Sequence, residues 1–248
     1  MKNDKIDKIA ENSSLIGSEV QAEKFKLIQA EDYERIMFEA KERTKEVIQT
    51  WNALIEAALI KMNTAGWTLP MVMSIRPIEY ISRLEDSKVD DFFCEFFSYD
   101  KNRLFEEMII DIQTSKIEEK YKNAVKQCVI AYNQELYIIV ANTLLTIIEG
   151  ILSSFYPNKK NIHMKKICEK MINEMVNTEV DIIKKYSWES YEKFIDNLYA
   201  KSSFDENEPR FINRHWLLHG RSSYDVTKAD CLRLFNAIST ICYIVDQS

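Results

Sequence analysis

Four glycines and four prolines in 248 residues leave this chain little material for hairpins and tight turns. A β-sandwich or barrel needs a turn signal roughly every 8–12 residues. The chain is therefore read as all-α and built from long helices. Hydrophobic residues make up 46% of it, enough for a sizeable core, and the 29% that are charged suit a water-facing surface. A chain of this size accommodates one large helical domain or two smaller ones.

The hydrophobic pattern predicts one long helix over residues 32–64. Met37, Ala40, Thr44, Val47, Trp51, Leu54 and Ala58 alternate spacings of three and four, which lays a stripe along one face suited to a partner helix. Gly66 ends this helix, and Trp67-Thr68-Leu69-Pro70 reads as a turn. Shorter helices follow to Tyr99. Phe92, Phe93, Phe96 and Phe97 share one helix face there. They read as core packing and not as a base-stacking platform, because Asp90, Asp91 and Glu95 surround them and nothing basic interleaves. Helices are then expected at about 101–114, 116–133, 135–155, 162–185 and 188–201, with Tyr156-Pro157-Asn158 as a stop. A motif helix at about 208–219, capped at Asn207, precedes a last helix at about 228–246, which Thr227-Lys228-Ala229-Asp230 caps. The chain divides on this reading into an N-terminal helical region, 1–115, and a helical bundle, 116–248.

Several function classes lack their residues. There is no H-E-x-x-H, no C-x-x-C pair, no aspartate cluster and no glycine-rich phosphate loop, so no metal or cofactor is expected. Five scattered cysteines, Cys94, Cys128, Cys168, Cys231 and Cys242, read as reduced, packed thiols in a cytoplasmic protein. The first residues are charged, and the most apolar stretch, Leu136 to Leu152, contains Asn142 and Glu149, so neither an export signal nor a membrane span is expected.

What remains is Phe211-Ile212-Asn213-Arg214-His215-Trp216-Leu217-Leu218-His219-Gly220-Arg221-Ser222, which holds two of the three histidines. Arginine offers a fixed charge with a planar donor fork, and histidine exchanges protons near neutrality. Gly220 reads as the residue just past a helix end. On a straight helix Arg214 and His219 point roughly 140° apart, since each residue turns about 100°. They meet one phosphate only if the helix loosens before Gly220 or if Arg214 reaches round. His215 shares helical spacing with Phe211 and Leu218, so a packed histidine and a functional one both fit. Glu149, alone in an apolar helix, either reaches solvent beside Gly150 or finds a partner, with Arg214 the obvious one.

Arg214-x4-His219 with His215 after the arginine resembles the R-x(4–6)-H signature of the HEPN superfamily of all-helical ribonucleases. The longer string Asn-Arg-His-x-x-x-His-Gly, followed by Tyr224 and a final helix, is similar to one bacterial branch of it; the resemblance covers roughly residues 116–248. It implies a HEPN-type bundle and metal-independent endoribonuclease activity. Arg214 and His219 would then be catalytic, with Asn213, His215 and Glu149 in support. It further implies a homodimer with a composite site and, by analogy alone, a toxin or phage-defence effector under a regulatory partner. Family toxins silenced by nucleotidyltransferases carry a tyrosine two residues after the histidine; here that position is Arg221, which speaks against such an antitoxin.

The chemistry is feasible without a metal. A neutral imidazole takes the proton of an RNA 2′-hydroxyl, the oxygen attacks the adjacent phosphate, and an imidazolium assists the departing 5′-oxygen. Arginine stabilises the charge developing on the phosphate. The net charge of −6 opposes a polyanion, but it is unevenly spread. Residues 1–115 hold 15 basic and 22 acidic side chains, −7, whereas residues 116–248 hold 18 and 17, +1. RNA contact therefore rests on a local patch, with Arg210 and Arg221 beside the motif and Lys159, Lys160, Lys165, Lys166, Lys184 and Lys185 as further candidates. The bland reading of those side chains is a solvated helix face. The competing function is a non-catalytic helical module that binds RNA, nucleotide or protein partners.

Overall fold

The computed structural model describes residues 35–155, 163–175, 182–200, 205, 207–209 and 211–247. Every regular element among them is helical: α1 (35–64), α2 (Ile75–Ser82), α3 (Val89–Thr114), α4 (Glu119–Asn133), α5 (Tyr137–Ser153), α6 (Met164–Met175), α7 (Ile182–Leu198), α8 (Arg214–Leu218) and α9 (Lys228–Asp246), with one 3₁₀ turn at Asp86–Lys88. No helix among the described residues is long and apolar enough to cross a membrane.

The chain divides into two compact units at Ala53/Leu54, inside α1. The boundary expected at 115/116 instead falls within the second unit, because α3 packs directly on α9. In the first unit the described residues are helical, and Met37, Val47 and Trp51 of the predicted stripe are exposed. In the second, Ala58 continues that stripe into the core with Ile55, Leu59 and Met62.

The centre of the second unit is α9, which packs against α3, α5 and α7. It is buried without interruption from Asp230 to Cys242. A helix buried on all sides cannot leave its polar groups to solvent, so each needs a protein partner. Asn236 donates from Nδ2 to the Thr68 carbonyl at 2.9 Å and to its hydroxyl at 2.8 Å. The Thr240 hydroxyl reaches the Leu69 carbonyl at 3.0 Å. The Ser190 hydroxyl of α7 accepts the Leu69 amide at 2.8 Å. Together these satisfy the Thr68 carbonyl and both the amide and the carbonyl of Leu69, in a turn that is wholly buried and would otherwise leave them orphaned.

Trp67 stacks on Phe93 with ring centroids 4.1 Å apart and donates from Nε1 to Asp90. Above it lies Arg233, whose side chain is 4% exposed and which bridges Asp230 at 2.5 Å and Asp90 at 2.6 Å. Phe93 and Phe97 are core, as predicted, but Phe92 and Phe96 are only half-buried.

One boundary differs from expectation. The predicted break near 186–187 is absent: α7 runs through Ser187, whose hydroxyl bonds the Ile183 carbonyl inside the helix while Tyr186 and Trp188 are buried. The stop at 156–158 lies outside the described residues. Within α3 the backbone leaves the helix at Tyr99, and Asp100, Lys101 and Asn102 take φ values of 49°, 57° and 66°. Three consecutive left-handed residues cost about 1–2 kcal/mol each, least for Asp and Asn. Buried Phe97 and Phe105 anchor the chain on either side, and Arg103 bridges back to Asp100.

The thiols are packed as predicted. Cys128, Cys168, Cys231 and Cys242 are buried and Cys94 is half-buried, all unbridged. Burial pushes Cys128 up to about 11 and Cys168, Cys231 and Cys242 up to about 12, so they stay protonated at neutral pH.

Candidate functional site

The motif helix is shorter than its sequence suggests. It runs only from Arg214 to Leu218, and its cap is Asn213, not Asn207. Asn213 Oδ1 accepts the amides of His215 at 3.0 Å and Trp216 at 3.3 Å, while Nδ2 donates to the Ala200 carbonyl at 2.9 Å. Asn213 thus supports the site through the backbone, fastening α8 to the end of α7. Trp216 and Leu217 are buried, which fixes the helix rotation and leaves His215, Leu218 and His219 outward.

At the other end, Gly220 donates to the Leu217 carbonyl at 3.1 Å and Arg221 to the Trp216 carbonyl at 3.0 Å, a Schellman closure. Gly220 takes φ +64° there, as its place past the helix end predicts. Residues 207–209 are not helical, and Glu208 does other work. Its carboxylate accepts from the Ser222 hydroxyl and, at 2.8 Å each, from the Ser223 amide and hydroxyl. Partial burial raises the Glu208 pKa, but these three donors outweigh it and hold the carboxyl below its usual range.

Arg214 points at α5. Its Nε donates to Glu149 Oε1 at 2.6 Å and Nη2 to Oε2 at 3.4 Å. The Tyr199 hydroxyl, just past α7, donates to the same Oε1 at 2.5 Å. The side chains of Arg214 and Glu149 are 33% and 24% exposed, so the pair is neither sealed nor freely solvated. The hydrogen bond to Glu149 raises the Arg214 pKa, and burial followed by the bond to Glu149 raises that of Tyr199. The two alternatives for Glu149 thus coincide: it pairs with Arg214 at an edge that water reaches. Beside it Gly150 makes room for Tyr121 of α4, whose hydroxyl lies where a Cβ would stand.

Arg214, Glu149 and Tyr199 form one wall of a cavity of about 590 Å³ whose other wall is the start of α6, with His163, Lys165, Lys166 and Glu169. Lys165 is bridged to Asp196 at 2.9 Å. His163, Tyr199 and Glu169 were not expected here. Their only sequence signal is that His163 is one of three histidines, and nothing in local spacing brings α6 to α8.

His215 stands on an exposed face of α8, and His219 is the residue that caps its C-terminal end. Their rings meet edge to face, centroids 4.6 Å apart at 72°, and both residues are exposed. The packed reading of His215 is therefore overturned: one turn separates the two histidines, so they share a face. Neither lines the cavity at Arg214. Of the basic candidates, Lys166 lines that cavity, Arg221 is exposed in the loop after α8, Lys184 donates to the Gln247 carbonyl and Lys185 pairs with Glu189. Arg210, Lys159 and Lys160 lie outside the described residues. Among the described residues no group of three or more His, Cys, Asp or Glu is placed to hold a metal ion.

Compared with protein-family models, curated proteins and solved structures, the chain matches none.

Proposed function

We propose that this protein is a metal-independent endoribonuclease of HEPN type. Arg214 binds the scissile phosphate, and the imidazoles on α8 move the protons. The observation that carries the reading is the construction of α8: a partly exposed guanidinium oriented by a carboxylate, followed by two imidazoles in contact on an open face. Glu149 occupies the Nε/Nη2 edge of Arg214 and leaves the Nη1 edge as a donor fork for phosphate oxygens. His219 removes the 2′-hydroxyl proton, and His215, in edge contact with it, is the neighbour able to protonate the departing 5′-oxygen. Lys166 at the cavity rim and Arg221 beyond Gly220 would hold the flanking phosphates. DNA lacks the attacking hydroxyl and is not a substrate. The twofold pairing that the family resemblance implies is an alternative source of the second imidazole, with the same chemistry.

A second assignment of the proton carrier is favoured by the cavity itself, since His163 and not His219 shares it with Arg214. Single-stranded RNA incubated with the full chain in excess chelator tests both. The proposal expects cleavage that persists in chelator and falls about 10²- to 10⁴-fold in His219→Ala. His163→Ala is expected to stay near wild type, and the reverse order transfers the base to His163. Binding without cleavage leaves the non-catalytic module, and loss in chelator alone indicates a metal enzyme.

A further inference from the structure

A second cavity, of about 480 Å³, lies away from α8 between α2 and the first half of α3. Its lining is aromatic to an unusual degree: Tyr80 from α2, Phe92 and Phe96 from α3, and Tyr99 at the left-handed turn. Three of the rings, Tyr80, Phe92 and Phe96, form a row. Tyr80 and Phe92 have centroids 5.6 Å apart, and Phe92 and Phe96 are stacked at 5.7 Å. Aromatic faces carry negative quadrupole potential, so a row of them around a hollow attracts a cation.

The charges at the rim point the same way. Glu95 lines the cavity, and its one cationic neighbour there, Arg103, is already matched by two carboxylates. Arg103 Nε lies 3.3 Å from Asp100, and its Nη1 lies 2.6 Å from Glu107. Arg103 is thus held by Asp100 and Glu107, and Glu95 is the lining carboxylate left to face a cation in the hollow. The three left-handed residues at 100–102 bring Tyr99 and Arg103 to this rim, and strain of that kind gathers at ligand clamps.

From the aromatic row and the Glu95 carboxylate together we propose that this cavity binds an alkylated ammonium cation. The rings receive the methyl-bearing head and Glu95 supplies the counter-charge. A nucleotide could stack on the rings, but its phosphates would meet the Glu95 carboxylate. The site is independent of the reading of α8.

The test is calorimetric titration of the full chain with choline and, separately, with 3,3-dimethyl-1-butanol, which has the same shape without the charge. Choline is expected to bind at least about tenfold more tightly. Tyr80→Leu and Glu95→Gln alter exposed side chains, so each should keep the wild-type melting temperature while weakening choline several-fold. Equal binding of the two probes would mean an apolar hollow only. Tighter binding of adenosine 5′-monophosphate than of choline, no binding of choline at millimolar concentration, or choline binding unchanged in both variants overturns the proposal.

Discussion

The residue on which most depends is Arg214, and its neighbours decide what a substitution there does. Arg214→Lys keeps the charge but loses the planar fork that meets Glu149 on one edge and a phosphate on the other. We expect it to lose cleavage almost as fully as Arg214→Ala, about 10²-fold or more, in a single-turnover RNA assay. Glu149→Gln removes the carboxylate that orients the guanidinium. Because the pair is partly exposed, the loss of stability should be about 1–2 kcal/mol, below that of a sealed pair, as read by urea unfolding. The Glu149–Arg214 contact was one of the two alternatives the sequence offered for a lone acid in an apolar helix. Tyr199 and His163 were not legible there, because chain separation hides what α6 and α7 bring to the same hollow.

At the scale of elements, the caps separate what could be read from what could not. The box at Thr227 and Asp230 forms as predicted, with the Thr227 hydroxyl accepting the Asp230 amide and the Asp230 carboxylate accepting the Thr227 amide. Its signal is local, three residues apart. The start of the motif helix was misread because Asn207 and Pro209 imitate a helix start, while Glu208 is committed to Ser222 and Ser223 far along the chain.

That commitment has a pH signature. The folded pKa of Glu208 is depressed, so its contribution to stability is present above the unfolded value and lost as pH falls through the folded one. The melting-temperature gap between wild type and Glu208→Ala should therefore be open at neutral pH and narrow as pH falls below the ordinary glutamate range. Gly220→Ala should cost about 1 kcal/mol through its left-handed φ alone, since no atom lies within 4 Å of the added Cβ. Gly150→Ala, which collides with Tyr121, should cost about 1–3 kcal/mol by thermal or urea unfolding.

For the whole molecule, scarcity of glycine and proline identified an all-helical chain, and hydrophobic periodicity found most of the helices. The division of the chain was not legible, because the contacts that join α3 to α9 link residues more than a hundred apart. In the network of Arg233, Asp230, Asp90 and Trp67 only the Asp230–Arg233 pair is local, three residues apart, while Asp90 and Trp67 lie far along the chain. Arg233→Ala leaves Asp230 buried and uncompensated, and we expect a loss of about 3–5 kcal/mol in urea unfolding.

The histidine pair bears on stoichiometry at this scale. If one chain supplies both proton carriers, a mixture of Arg214→Ala and His219→Ala chains stays as inactive as either parent, whereas restored activity on mixing means that two copies build the site. The central claim is that a 2′-oxygen displaces the 5′-oxygen under the imidazoles of α8, and the ends of the cut RNA test it most directly. Cleavage is expected to leave 2′,3′-cyclic phosphate and 5′-hydroxyl ends, formed in chelator by the wild type, lost with His219→Ala, and blocked by a single 2′-deoxy nucleotide at the cleavage position. Products with 5′-phosphate ends, or cutting that continues past the 2′-deoxy nucleotide, would contradict it.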